Sequence, residues 1–303
     1  MIYNLKKQIA ISIASLLFLE TIGTSAYTIN NAKAQTNEHP KLEETIPKDT
    51  KPKETWEKLD TGLFLTQITT EKKSIFGDSK ITVLKINPKN YSLNLMSASE
   101  YGGKERTAQE WAEDYGLAAT INAGMFKEED NTSNVGYMQN YSYLNNPTFK
   151  KGYNAIFAFN PKSDDVPEAQ IIDTRCQNFN KLKDKYNSFS QSIRMISCDQ
   201  KNTWSQQPRI WSTAALGIDK QRNILFIHSR SPYTTHDFIN YLLKSHINIQ
   251  NAMYLEGGPE ASLYINLPDK ETEMIGSYET GFNENDSNNE FWTLPNVIGI
   301  KKK

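Results

Sequence analysis

Thr213-Ala-Ala-Leu-Gly217-Ile-Asp219-Lys-Gln-Arg-Asn223-Ile-Leu-Phe-Ile-His228 is the stretch whose reading decides the fold. Two apolar runs, Thr213–Ile218 and Ile224–His228, flank the polar connection Asp219–Asn223, an order that predicts a β-hairpin and hence an antiparallel pair. Downstream, Thr234 or Thr235 opens a helix with Asp237 in its first turn and Phe238, Ile239, Leu242 and Leu243 on one face. That helix feeds a strand, Ala252–Leu255, which runs into Glu256-Gly-Gly258. Upstream, Thr107-Ala-Gln-Glu110 is a capping-box pattern at the head of a helix to about Tyr115. It leads into a strand, Leu117–Ala123, and the turn Asn122-Ala-Gly124. Further β-type runs are Leu63–Ile68, Ile81–Ile86, Tyr91–Ser97, Ala155–Asn160 and Val297–Ile300. The predicted class is α+β: a single domain with a mixed, mostly antiparallel β-sheet and a few packing helices.

The first residues read as an export signal. Lys6 and Lys7 precede an apolar run from Ile9 to Leu19, and small residues follow at Thr24-Ser25-Ala26 and Ala32-Lys33-Ala34. A retained anchor is the alternative; the run is shorter than the roughly 20 residues that cross a bilayer. The expected division is a signal over 1–34, a flexible tether rich in Lys, Glu, Thr and Pro over 35–55, and a domain over 56–303. A secreted or periplasmic protein without a transmembrane segment in its mature chain follows from that reading. Removing residues 1–34 moves the formal net charge from −1 to about −3, which gives no electrostatic case for nucleic acid. In an exported chain Cys176 and Cys198 are a candidate disulfide, two buried thiols being the alternative; neither has a His at zinc-ligand spacing.

Four short motifs stand in order along the chain. Ile121-Asn122-Ala123-Gly124-Met125-Phe126 resembles the N-A-G-F-F signature of the phosphodiester glycosidase family. Gly136-Tyr137-Met138 with the Asn-rich Asn140–Asn146 is similar to the hairpin that follows it, and Thr213–Asp219 to the family's T-A-I-G-x-D hairpin. Leu255-Glu256-Gly257-Gly258 resembles the L-D-G-G-G-S turn that closes the family's site. The departures are Glu256 for the Asp, Pro259-Glu260-Ala261 where Gly and Ser-like positions stand, and Ser212 in place of an Arg. The resemblance covers nearly all of residues 60–300 and implies a hydrolase that cuts a sugar 1-phosphodiester in an envelope or exopolysaccharide glycan. A glycan-binding or polysaccharide-assembly protein that keeps the fold without turnover is the alternative. A serine esterase is disfavoured, because no G-x-S-x-G elbow occurs.

Cleavage at an anomeric carbon builds positive charge, which a carboxylate stabilises, while the departing phosphate calls for a cation. Glu256, at a strand end beside Gly257 and Gly258, is the candidate carboxylate facing the sugar, and an ordinary charged turn residue fits it as well. Glu260 is a second carboxylate or a solvated loop charge. Arg194, Arg230 and Arg209 are candidate phosphate clamps, with a salt bridge as the alternative for Arg194. His228 is a candidate proton relay or a packed histidine. Asn122, presented by the turn at Gly124, is a candidate sugar binder. No cofactor or metal is expected; the oxygen-rich loop Phe282-Asn-Glu-Asn-Asp286 lacks ordered calcium-ligand spacing.

Overall fold

The structure, a computed structural model, describes residues 55–303. The export signal expected at 1–34 and all but the last residue of the expected tether lie outside the described residues. The strands in chain order are β1 (Glu57–Asp60), β2 (Leu63–Thr69), β3 (Lys80–Ile86), β4 (Tyr91–Ser97), β5 (Ala119–Asn122), β6 (Met138–Asn140) and β7 (Tyr143–Asn146). They continue as β8 (Ala155–Pro161), β9 (Ala169–Asp173), β10 (Tyr186–Ser192), β11 (Arg194–Ile196), β12 (Trp211–Asp219) and β13 (Ile224–Tyr233). The last are β14 (Ile249–Gly257), β15 (Ser262–Leu267), β16 (Lys270–Ile275) and β17 (Asn296–Lys302). The helices are α1 (Ala108–Tyr115), α2 (Phe179–Leu182) and α3 (Thr235–Lys244).

Antiparallel pairing holds throughout the described sheets, but the strands divide among three sheets, where the sequence reading has one. Their orders are β1-β2-β3-β13-β12-β14-β11, β7-β6-β10-β8-β9 and β16-β15-β5-β17-β4, and none closes into a barrel. Strand exceeds helix by 45% to 11%, so the class is largely β and the helices act as covers. The deciding hairpin is β12 and β13, with Ile218 opposite Ile224. Asp219 closes it: Oδ1 accepts from the Gln221 and Asn223 amides at 2.8 Å each, and Oδ2 accepts from Asn223 Nδ2. This leaves the backbone donors of a polar connection satisfied without a longer loop.

Three of the core's layers explain why the sheets stay together. Leu84 and Phe226 of the first sheet, Phe157 and Phe159 of the second, and Ile121 and Ile298 of the third share one buried cluster between them. Helix α3 turns Phe238, Ile239 and Leu242 onto Val83, Ala215 and Ile227, on the other side of the first sheet. Each such side chain contributes about 1.5–3 kcal/mol by leaving water. Helix α1 carries the expected capping box, Glu110 N–H donating to Thr107 Oγ1 and Thr107 N–H to Glu110 Oε2, and ends at left-handed Gly116. It buries Trp111 on the third sheet, whose Nε1–H donates to Leu294 O at 2.9 Å.

Candidate active site

The turn after Glu256 lies where the first and third sheets meet. Strand β14 ends at Gly257, a single 3-10 turn covers Gly258–Glu260, and β15 begins at Ser262. Gly257 is required by close approach to packed rings, and Gly258 by its left-handed backbone. A Cβ on Gly257 would stand 2.2 Å from Tyr254 Oη, and one on Gly258, whose φ is +64°, would stand 2.6 Å from Glu279 Oε2.

Two side chains from distant motifs hold this turn by its backbone. Asn122 Nδ2 donates to Glu260 O at 2.9 Å, and the Ser262 amide donates back to Asn122 Oδ1 at 2.8 Å. His228 Nε2 lies 3.1 Å from Ala261 O, the geometry of a neutral imidazole donating its N–H. Burial drives the His228 pKa down to about 4, against the opposing pull of the Ala261 carbonyl and with a smaller push from Arg230. A ring held neutral and wholly buried does not suit the proton relay expected from the sequence; His228 positions the turn instead. Asn122 is likewise committed to the backbone at both ends of its amide.

Around the turn stand carboxylates and aromatic rings. β14 carries an extra residue here, because Ala214 faces Glu256 while Ala215 faces Tyr254, leaving Leu255 as a bulge that re-aims the strand end. Glu256 is half-buried, and its Oε1 accepts from the Gly257 amide at 3.0 Å. The hydroxyl of Tyr254 is pushed far above its usual pKa by burial and then by the charges of Glu256, Glu279 and Glu260. Tyr153, half-buried, is raised by burial and by Glu256. Both phenols therefore stay protonated, Tyr254 near three acids and Tyr153 near Glu256. Trp211 and Trp204 flank Tyr254 at ring distances of 6.5 and 5.9 Å, and Met125 of the first motif packs into the same cluster. Arg209 borders it, donating to Thr280 O at 3.1 Å and pairing with Glu279 at 3.4 Å while 57% exposed.

The other expected residues are placed elsewhere or otherwise engaged. Gly124, at φ +149°, faces Asn134, whose Oδ1 would be 2.6 Å from an added Cβ; its smallness serves backbone packing. Arg230 pairs with Asp286 at 2.8 Å and donates to Ile275 O and Asp286 O. Arg194 Nη1 reaches both oxygens of the buried Asp173 at 2.8 Å each, the salt-bridge alternative of the sequence reading. Its phosphate-clamp role does not fit this engagement. Cys176 and Cys198 are disulfide-bonded, with Cα atoms 6.6 Å apart. Their sulfurs lie close to the Asp173 carboxylate, but both are committed to the disulfide and leave no thiolate for a metal. In the 282–286 loop Asn283 Oδ1 accepts from Asn285, Glu284 Oε1 from Gly281, and Asp286 pairs with Arg230, so its oxygens serve internal bonds rather than a calcium cage.

Sequence reasoning missed Tyr153, Trp211, Tyr254 and Glu279. Tyr254 gives no clear signal in sequence, because the bulge at Leu255 breaks the two-residue periodicity that would put it on one face with Glu256; Tyr153 and Glu279 come from loops that only the fold brings there.

A largely antiparallel β protein with an acidic, aromatic-walled site on a glycine turn at a sheet junction is the class these features define. A family model described as phosphodiester glycosidase matches residues 115–301, more than half of the chain, and the chain belongs to that family. The fold is similar to the zebrafish N-acetylglucosamine-1-phosphodiester alpha-N-acetylglucosaminidase catalytic domain auto-inhibited by its pro-peptide. The TM-score is 0.55 at 13% identity, over 82% of this chain and 86% of that one. It is also similar to a hypothetical protein from Synechocystis, with a TM-score of 0.56 at 13% identity over 84% of this chain and 64% of the other. No curated protein sequence matches.

Proposed function

We propose that this chain is a secreted hydrolase that cleaves the bond between an anomeric carbon and phosphate in a glycan phosphodiester. Residues 56–303 form its catalytic unit, exported behind the signal at 1–34, and an envelope or exopolysaccharide glycan is its substrate. Family membership supports the reaction class, and the zebrafish enzyme's name specifies the same bond. The observation that carries the reading is the convergence of motifs on one turn: Asn122 and His228 grip residues 260–262 and so fix the strand end that bears Glu256.

Glu256 is the carboxylate that faces the sugar and stabilises the positive charge growing on its anomeric carbon. As the C–O bond lengthens, the electron pair leaves with the phosphate and water supplies the hydroxyl of the released sugar. Trp211 supplies an apolar wall for the ring, and the protonated Tyr254 adds no charge beside the acids. Of the three arginines read as phosphate clamps, Arg209 takes the role, because its guanidinium is 57% exposed at the rim, while those of Arg194 and Arg230 are more buried in their salt bridges. Glu260 and Glu279 are the candidate second carboxylates.

The test is product analysis with a GlcNAc-1-phosphodiester and related glycosyl phosphodiesters. The expected result is free sugar and a phosphate monoester from wild type, and on the order of 10³-fold less from Glu256→Gln. Absence of turnover on every glycosyl phosphodiester would sink the reading and leave the non-catalytic glycan binder.

A further inference from the structure

We infer that the open cleft of about 720 Å³ beside the disulfide is a second subsite, which binds phosphate-bearing repeat units of a polymeric glycan flanking the bond at Glu256. The inference rests on the glycosidase reading above and extends it to the substrate's size and charge.

The cleft is lined by rings and cations. Tyr137 and Phe149 stack at 5.6 Å and 25°, Phe179 of α2 meets Phe149 at 5.1 Å, and Phe149 is 44% exposed. An exposed ring set on buried ones is a platform on which the apolar face of a sugar can lie. Arg175 and Lys183 also line the cleft, and no carboxylate among the described residues does. Neither cation has a salt-bridge partner among the described residues, in contrast to Arg194, Arg209 and Arg230. An aromatic floor beside two uncompensated cations suits a ligand with alternating sugars and phosphates.

The cleft is also rigid, and it is joined to the acidic site. Asp173 binds Arg194 and accepts the amides of Arg175 at 3.0 Å and Cys198 at 3.1 Å, and the disulfide ties Cys176 to Cys198. The segment that presents Arg175 is thus fixed from beneath, which lowers the ordering cost of binding. Phe149 lies in the cleft, while Tyr153, four residues on, feels the charge of Glu256. Four residues of chain reach at most about 14 Å, so the loop from Phe149 to Tyr153 links the cleft to the side of the acidic site that Tyr153 faces. Gln191 clamps this connecting loop: its Oε1 accepts from the Lys150 amide at 3.0 Å and its Nε2 donates to Lys150 O and Tyr153 O.

Affinity electrophoresis of the mature chain through gels holding a poly(glycosyl phosphate), its dephosphorylated neutral counterpart, or inorganic polyphosphate tests this directly. The expected result is retardation by the poly(glycosyl phosphate) alone. Its apparent Kd should rise about tenfold in Arg175→Ala/Lys183→Ala and in Phe149→Ala, while KM for a small glycosyl phosphodiester stays unchanged. Equal retardation of variants and wild type, or equal retardation by inorganic polyphosphate, would overturn the subsite. Retardation that survives in a wild-type protein lacking turnover would keep the subsite and remove the glycosidase reading instead.

Discussion

The glycine turn at Glu256 and the disulfide segment at Cys176 both gather charged side chains, yet they arrange them in opposite ways. At the turn the amide of Asn122 and the imidazole of His228 disappear into backbone bonds, and half-buried acids stand around Tyr254. At the disulfide the acid is the hidden partner: Asp173 is 1% exposed beneath Arg194, and the cations Arg175 and Lys183 line the open side. The contrast teaches that a polar residue in a motif is as often spent on positioning a chain as on touching a ligand. The two regions therefore differ in the sign of the charge they gather, acidic around Tyr254 and cationic along the open side of the disulfide segment.

The largest effect expected from this contrast is on chemistry. Glu256→Gln should lower kcat for a glycosyl phosphodiester by on the order of 10³-fold with the thermal midpoint nearly unchanged, checked by steady-state kinetics beside calorimetry. Arg194→Ala should do the reverse. It strands the buried Asp173 charge and should cost about 3–5 kcal/mol in denaturant unfolding, and Asp173→Asn in the same chain should recover part of that loss. A raised KM with full stability would return Arg194 to the phosphate.

His228 gives the turn a pH signature. Its folded pKa of about 4 lies below the usual 6.5, so the unfolded chain binds more protons between those values and stability falls as pH drops through that window. The full penalty below the window is about 3 kcal/mol, and His228→Gln should flatten that part of the unfolding free energy against pH. A slope identical in the variant would mean that the ring is not the buried neutral group described here. The smallest effect is expected at Asn122→Ala, which leaves the Ser262 amide and Glu260 carbonyl without their partner and should cost about 2 kcal/mol. Because the turn then loosens, kcat should fall with little change in KM.

Much of this scaffold was legible from residue pattern. The capping box at Thr107, the helix after Thr234 and the strand Tyr91–Ser97 stand where periodicity and capping residues place them. The second sheet was harder to read beyond β8, because β6, β7 and β10 are polar. β10 is Tyr-Asn-Ser-Phe-Ser-Gln-Ser, and its Ser188 hydroxyl is satisfied by Asn140 and Asn160 rather than by apolar packing. Alternation of apolar and polar residues, the ordinary strand signal, is weak in such a segment. At the site, Glu256 and its glycines could be read from a local motif. The engagement of Arg194 with Asp173, 21 residues away, could not, since spacing carries no information about which charges meet. Its salt-bridge alternative was the one the fold adopts.

Turnover of a glycosyl phosphodiester in ¹⁸O-labelled water tests the central claim most directly, because it reports which bond breaks opposite Glu256. Attack at the anomeric carbon leaves the released phosphate monoester unlabelled, the product expected from wild type and, on the order of 10³-fold more slowly, from Glu256→Gln. Heavy oxygen in the phosphate monoester, or undiminished release by the Gln variant, would contradict it.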